Sequence, residues 1–200
     1  MNHYVYVGSR TSRERNAHGN GIEVYQTNYS TGQWTHIQTV DGLENPSYLC
    51  MDKTRNYLYA VHGDKTSASA FSIDHNSGKL QFLNTVEIHG QNPVYLLPDR
   101  TNMYILIACL GTENIVAVSR NADGTLGNVA YNYHLPGAEE GKNSCPHQIF
   151  YDKEEKYLIV SAKGGRDITT GAKHGINVFT FSPENGFTDI YKLCGRNLDE

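Results

Sequence analysis

The feature that most constrains this chain is a repeat. Three segments, NPSYLCMDKTRNYLYAVHGD, NPVYLLPDRTNMYILIACLG and CPHQIFYDKEEKYLIVSAKG, fall into register on three residue types. Pro46, Pro93 and Pro146 coincide, then Asp52, Asp99 and Asp152, then Tyr57, Tyr104 and Tyr157, at intervals of 47 and 53 residues each time. A partial copy opens the chain, with Tyr4 standing 53 residues before Tyr57. Repeats of this length mark architectures in which each unit stacks on the next.

Within each copy the apolar residues come in short runs such as YVYV, YLYAV and YILIA, bounded by Gly, Asn, Asp and Ser. Such runs read as β-strands joined by turns, and no segment sustains the 3.6-residue period of a helix. A further strand, a turn and a strand follow in every copy, with Gly32, Gly78, Gly124 and Gly186 at the turns. Glycine suits a hairpin that needs a positive φ. Four strand signals in about 45–50 residues predict one blade of a β-propeller. A β-sandwich gives no reason for the same Pro–Asp–Tyr spacing three times over. We therefore expect an all-β chain, one domain over residues 1–200, with four-stranded antiparallel blades at about 4–44, 45–91, 92–142 and 143–193. No spare N-terminal strand is available to close a ring with the fourth copy, so an incomplete propeller is expected, with about four blades present.

Composition narrows the functions. With 17 basic and 21 acidic residues the formal net charge is -4, and no basic block suggests nucleic acid. No apolar run approaches the roughly 18 residues of a membrane-spanning helix, and no secretory signal opens the chain. Cys50, Cys109, Cys145 and Cys194 stand 59, 36 and 49 residues apart, which matches no zinc or CxxC spacing. Reduced thiols in the cytoplasm are expected. The nine histidines show no metal-ligand pattern, so neither metal nor cofactor is expected.

The repeat also acts as an internal control. Residues shared by every copy are framework: the prolines fix the backbone before the first strand, and the aspartates accept N–H bonds in the turn that follows it. Residues that differ are free to specialise. After the proline stands Ser47, then Val94, then His147, and nothing in the framework requires histidine there. The innermost strand of a blade lines the central channel, and its start lies at the same end as the loop after the second strand. One channel face is thus predicted to collect His147, Lys163, Arg166, Asp167, Arg10, His62 and Asp64. A concave, partly cationic mouth with a titratable histidine suits an anionic or carbonyl-bearing small molecule. His147 would act as general base, Arg166 would stabilise developing negative charge, and Lys163, Arg10, His62 and Asp167 would bind substrate.

The stretches YVGSRT…GIEVYQTNYSTGQWTHIQTV, NPSYLCMDKTRNYLYAVHG and SAFSIDHNSGKL resemble the seven-bladed propeller lactonases. That family includes the propeller-type 6-phosphogluconolactonases and muconate-lactonizing relatives. The resemblance runs from about residue 4 to 193. It implies four blades of seven, and hydrolysis of a sugar lactone, with 6-phosphogluconolactone the leading substrate. A lactonizing cycloisomerase and a non-catalytic binding propeller are the alternatives. Where the family usually reads His-Pro-His this chain has Cys145-Pro146-His147, and Arg166-Asp167 reverses the family's usual order. The implied partner is a small anionic lactone, with no nucleic acid and no membrane; the oligomeric state is left open.

Overall fold

The computed structural model describes residues 3–137, 143–164 and 175–194. These residues form four antiparallel sheets that follow one another along the chain. The first holds three strands, β1 (His3–Gly8), β2 (Ile22–Thr27) and β3 (Trp34–Val40). The second holds β4 (Pro46–Met51), β5 (Tyr57–His62), β6 (Ser67–Ile73) and β7 (Leu80–Glu87). The third holds β8 (Pro93–Pro98), β9 (Tyr104–Cys109), β10 (Asn114–Arg120) and β11 (Leu126–His134). The fourth holds β12 (Cys145–Tyr151), β13 (Leu158–Lys163), β14 (Gly175–Ser182) and β15 (Gly186–Cys194). Each strand pairs with its neighbours in sequence, and β8 packs against both β4 and β12 at the inner rim. This is a β-propeller with four of its blades, the first lacking an innermost strand.

The repeated residues explain the local folding. Asp52 accepts the backbone N–H groups of Asn56 at 2.9 Å and Tyr57 at 3.1 Å, while Thr54 donates to its other oxygen. Asp99 repeats the pattern with Thr101, Met103 and Tyr104, and Asp152 accepts the N–H of Tyr157 at 2.6 Å. The carboxylate thus holds the turn between the first two strands of its blade. Asp52 is also tied to the next blade, by Arg120 at 3.2 Å and Asn102 at 3.0 Å.

The core lies between blades. Leu58, Ala60, Phe71 and Leu80 face Ile22 and Val24 of the first blade. Ile105, Ile107, Val118 and Leu126 meet Tyr59, Val61, Ala68 and Ala70 of the second. Leu158, Val160, Phe179 and Phe187 meet Leu106, Ala108, Ile115 and Ala117 of the third. Adjacent blades are also latched at their outer ends. The Tyr6 hydroxyl donates to the Gly78 carbonyl and that of Tyr59 to Gly124, both at 2.9 Å. Leu106 stands at the equivalent place in the third blade, and there Tyr131 donates to the Pro183 carbonyl at 2.6 Å.

The latch explains the turn glycines. Gly124 has φ +84°, and a Cβ there would sit 2.0 Å from the Tyr57 ring. Gly78 against Tyr4 and Gly186 against Tyr131 are equally tight, at 2.2 and 2.4 Å. Gly124→Ala combines a left-handed backbone cost of about 1–2 kcal/mol with an overpacking cost of about 1–3 kcal/mol. Urea unfolding should therefore show a loss of about 2–5 kcal/mol, and an unchanged midpoint would mean that the ring does not rest on this turn.

Candidate active site

The start of each innermost strand has the same irregularity. Pro146 pairs with Ala162 and Gln148 with Ser161, leaving His147 between them in a bulge. Ser47 is skipped in the same way between Pro46 and Tyr48, and Val94 between Pro93 and Tyr95. The bulge belongs to the framework and re-aims whichever side chain occupies it. His147 is exposed, whereas Pro146 on one side of it is buried.

Across the ladder, Cys145 pairs with Lys163, so the end of β13 lies beside the start of β12. Lys163 is exposed. His147 and Lys163 therefore share one end of the fourth blade, as expected. Arg166 and Asp167 lie outside the described residues. Cys145 is fully buried, its thiol 3.8 Å from a Glu113 carboxylate oxygen, so it packs between the third and fourth blades.

Arg10 is on the expected face, but its charge is already engaged. Its guanidinium donates to Asp64, which also takes Arg15 Nε at 2.8 Å and Nη2 at 2.5 Å. Hydrogen bonds from Arg15, then the charge and bonds of Arg10, hold the Asp64 carboxyl below the usual range despite partial burial. The cluster bridges the first and second blades and carries one net positive charge. Ser47 stands beside it: a Cβ on Gly63 would fall 2.6 Å from Ser47 Oγ and 3.0 Å from Arg10 Nη2.

His62 departs from expectation. It is 4% exposed, with Nδ1 2.6 Å from the Glu44 carbonyl and Nε2 2.7 Å from Ser69 Oγ. A carbonyl only accepts, so Nδ1 carries the proton and Nε2 accepts from Ser69. Ser69 Oγ in turn lies 2.7 Å from Thr85 Oγ1. The imidazole is consumed inside its own blade and is withdrawn from the set of substrate-binding residues.

Arg15, Tyr48, Tyr95 and Gln148 were missed. The approach of Arg15 to Asp64 across 49 residues leaves no local signal in the sequence. Tyr48 and Tyr95 stack on the inner strands with ring centroids 4.3 Å apart, whereas the fourth blade has exposed Gln148 at that position. The repeat comparison that singled out His147 would have found Gln148 one residue later.

Two clefts, of about 480 and 510 Å³, lie at the first blade, lined by residues such as Gln26, Asn28 and Tyr29 or Tyr4, Met51 and Arg55. The second runs along β1, on the side where the other blades carry an innermost strand. Neither includes His147 or Lys163. Among the described residues, no group of three or more His, Cys, Asp or Glu is placed to hold a metal ion. No described helix is long and apolar enough to cross a membrane.

Burial lowers the pKa of His62, with the Glu44 carbonyl opposing part of the shift. Its unfolded value is about 6.5, so the stability tied to the neutral ring is complete above that pH. That stability is lost as the pH falls below it. Urea midpoints at pH 7.5 and pH 5 should therefore differ more for the wild type than for His62→Gln. An equal loss in both would show that His62 does not carry this dependence.

The family model described as "Lactonase, 7-bladed beta-propeller" matches residues 4–172. A 6-phosphogluconolactonase of Formosa agariphila is 30% identical over 111 residues, covering 52% of this chain and 30% of that protein. The 6-phosphogluconolactonase of Bacillus subtilis is 25% identical over 165 residues, covering 80% and 46% respectively. The chain thus spans less than half the length of these relatives. The Pseudomonas aeruginosa periplasmic gluconolactonase PpgL superposes with a TM-score of 0.75 at 19% identity, over 96% of this chain and 56% of that one, a likeness of fold. With the repeat, the blades and the profile in agreement, this chain belongs to the seven-bladed β-propeller lactonase family.

Proposed function

We propose that these blades form one domain of a lactonase that opens a sugar lactone, with 6-phosphogluconolactone the first substrate to test. The observation that carries this reading is the placement of His147. It is the titratable side chain at an inner-strand bulge whose counterparts are Ser47 and Val94, and it is exposed beside Lys163. A neutral imidazole nitrogen takes a proton from water while the oxygen attacks the lactone carbonyl. Lys163, joined by Arg166, stabilises the oxyanion of the tetrahedral adduct. Collapse breaks the ring C–O bond, and the imidazolium returns its proton to the leaving alkoxide, giving a hydroxy acid. Asp167 is assigned to substrate binding, and the Arg10–Asp64–Arg15 cluster carries a net positive charge suited to an anionic group. The names of the two 6-phosphogluconolactonases support this substrate class.

We also assign the protein to the cytoplasm, where the unbridged thiols of Cys50 and Cys109 would stay reduced. His147→Ala should reduce kcat for lactone hydrolysis by about 10²–10⁴-fold, the usual contribution of a positioned general base. Lys163→Ala should lower kcat/KM for phosphorylated and unphosphorylated lactones alike, as the loss of an oxyanion contact does. Hydrolysis unaffected by His147→Ala removes that residue from the mechanism. Turnover of a muconate but no lactone favours the cycloisomerase, and turnover of neither favours a binding propeller.

A further inference from the structure

Glu113 is a carboxylate at the mouth that the mechanism does not use. It stands in the loop between β9 and β10, at the end of the third blade where Cys109 pairs with both Pro93 and Asn114. Its φ is +58°, in the left-handed region that a side chain with a Cβ enters only at a cost. The framework does not impose that geometry. Thr66 holds the same place in the second blade, and its carbonyl accepts the N–H of Ile88 at 2.9 Å, as that of Glu113 accepts Leu135 at 2.9 Å. Thr66 makes this bond without a positive φ; the left-handed residue of its loop is Asp64. Left-handed residues that a framework does not require cluster at functional sites.

The side chain of Glu113 reaches the strand that carries His147. One carboxylate oxygen lies 3.8 Å from the Cys145 thiol; Cys145 precedes Pro146 and His147 at the head of β12 and pairs with Lys163 across the ladder. In the second and third blades that head residue is an asparagine that caps the preceding loop. Asn45 accepts the N–H groups of Thr11 and Ser12 at 2.9 and 3.0 Å, and Asn92 that of Asp64 at 2.9 Å. A thiol is a weak acceptor, and here the loop sends a carboxylate to the strand instead. A thiol is also a weak donor, so the carboxylate keeps nearly all of its capacity to accept hydrogen bonds. Asp64 is held by Arg10 and Arg15, whereas no Lys, Arg or His among the described residues forms an ion pair with Glu113. A partly buried acceptor at the head of the strand bearing the proposed base suits the O–H donors of a sugar. Resting on the lactonase reading above, we infer that Glu113 reads the ring hydroxyls of the lactone, accepting O–H bonds from the sugar whose carbonyl meets His147. Its charge repels an anionic group, so the anionic end of the substrate lies away from Glu113, toward the arginine cluster.

The lactones δ-gluconolactone and δ-valerolactone share a ring and differ in their hydroxyl groups, so the ratio of their kcat/KM values isolates this contact. Glu113→Gly and Glu113→Gln are compared with the wild type in the full chain. Glycine suits the left-handed backbone, glutamine keeps the shape, and urea unfolding shows that the variants fold. The preference for gluconolactone should fall about 10–100-fold in Glu113→Gly, the usual contribution of a hydrogen bond to a charged group, and by less in Glu113→Gln. An unchanged ratio overturns the proposal, whether the two rates fall together, as lost support for β12 would make them, or stay as they were. If the wild type opens neither lactone, calorimetry with gluconate separates the hydroxyl contact from the lactonase reading. Gluconate binding that weakens at least tenfold in Glu113→Gly keeps the contact and removes the hydrolysis. Binding that is equal in both, or absent from the wild type, overturns the contact as well.

Discussion

Everything in this molecule depends on apolar contact between successive sheets. A single antiparallel sheet has two faces, and here neither can be left to water: Leu58 and Ala60 point one way from β5, Tyr59 and Val61 the other, and all are buried. Each blade therefore needs a neighbour on both sides. The hydrophobic gain lies at the junctions, which makes stability a sum of neighbour interactions, as in other repeat proteins. The tyrosine that rests on a turn glycine adds direction to that adhesion. It admits the next blade at one height and one angle, because the glycine leaves room for a ring and offers a carbonyl to its hydroxyl.

The parts of this arrangement that were legible in the sequence are those that act locally or by period. Asp52, Asp99 and Asp152 bond within five residues of themselves, so their spacing alone announced the turn. Alternating apolar residues announced strands, and the turn glycines announced hairpins. What failed to show were contacts whose partners are far apart in the chain. His62 looked available until its ring was found between Glu44 and Ser69, and Arg10 looked free until it was found on Asp64, which Arg15 also holds.

The same ladder position shows why such pairings resist sequence reading. Ser69 corresponds to Val116 and Asn177, and His62 to Cys109 and Ala162. In the second blade histidine and serine occur together and satisfy each other. In the third, cysteine and valine need nothing. In the fourth, Asn177 is 1% exposed opposite a strand that offers alanine, and neither of its amide atoms has a hydrogen-bond partner among the described residues. The framework tolerates each pair separately, so only the coordinates reveal whether a polar residue is occupied.

This division between framework and freedom also accounts for how a site can arise on so regular a scaffold. The bulge after each proline is imposed by the inner strand, and it lifts one side chain out of the ladder in every blade. In the second blade that side chain is Ser47, beside a guanidinium already bound to Asp64. In the third it is Val94, with nothing to offer a substrate. In the fourth it is His147, next to a lysine that no described carboxylate neutralises. Chemistry is thus concentrated in one blade by substitution at a position that all blades possess. The distance from His147 to the cationic cluster is set by the two intervening junctions rather than by any bond between them. The tyrosine–glycine contacts are therefore what would hold the proposed base and the cationic cluster in register across three blades.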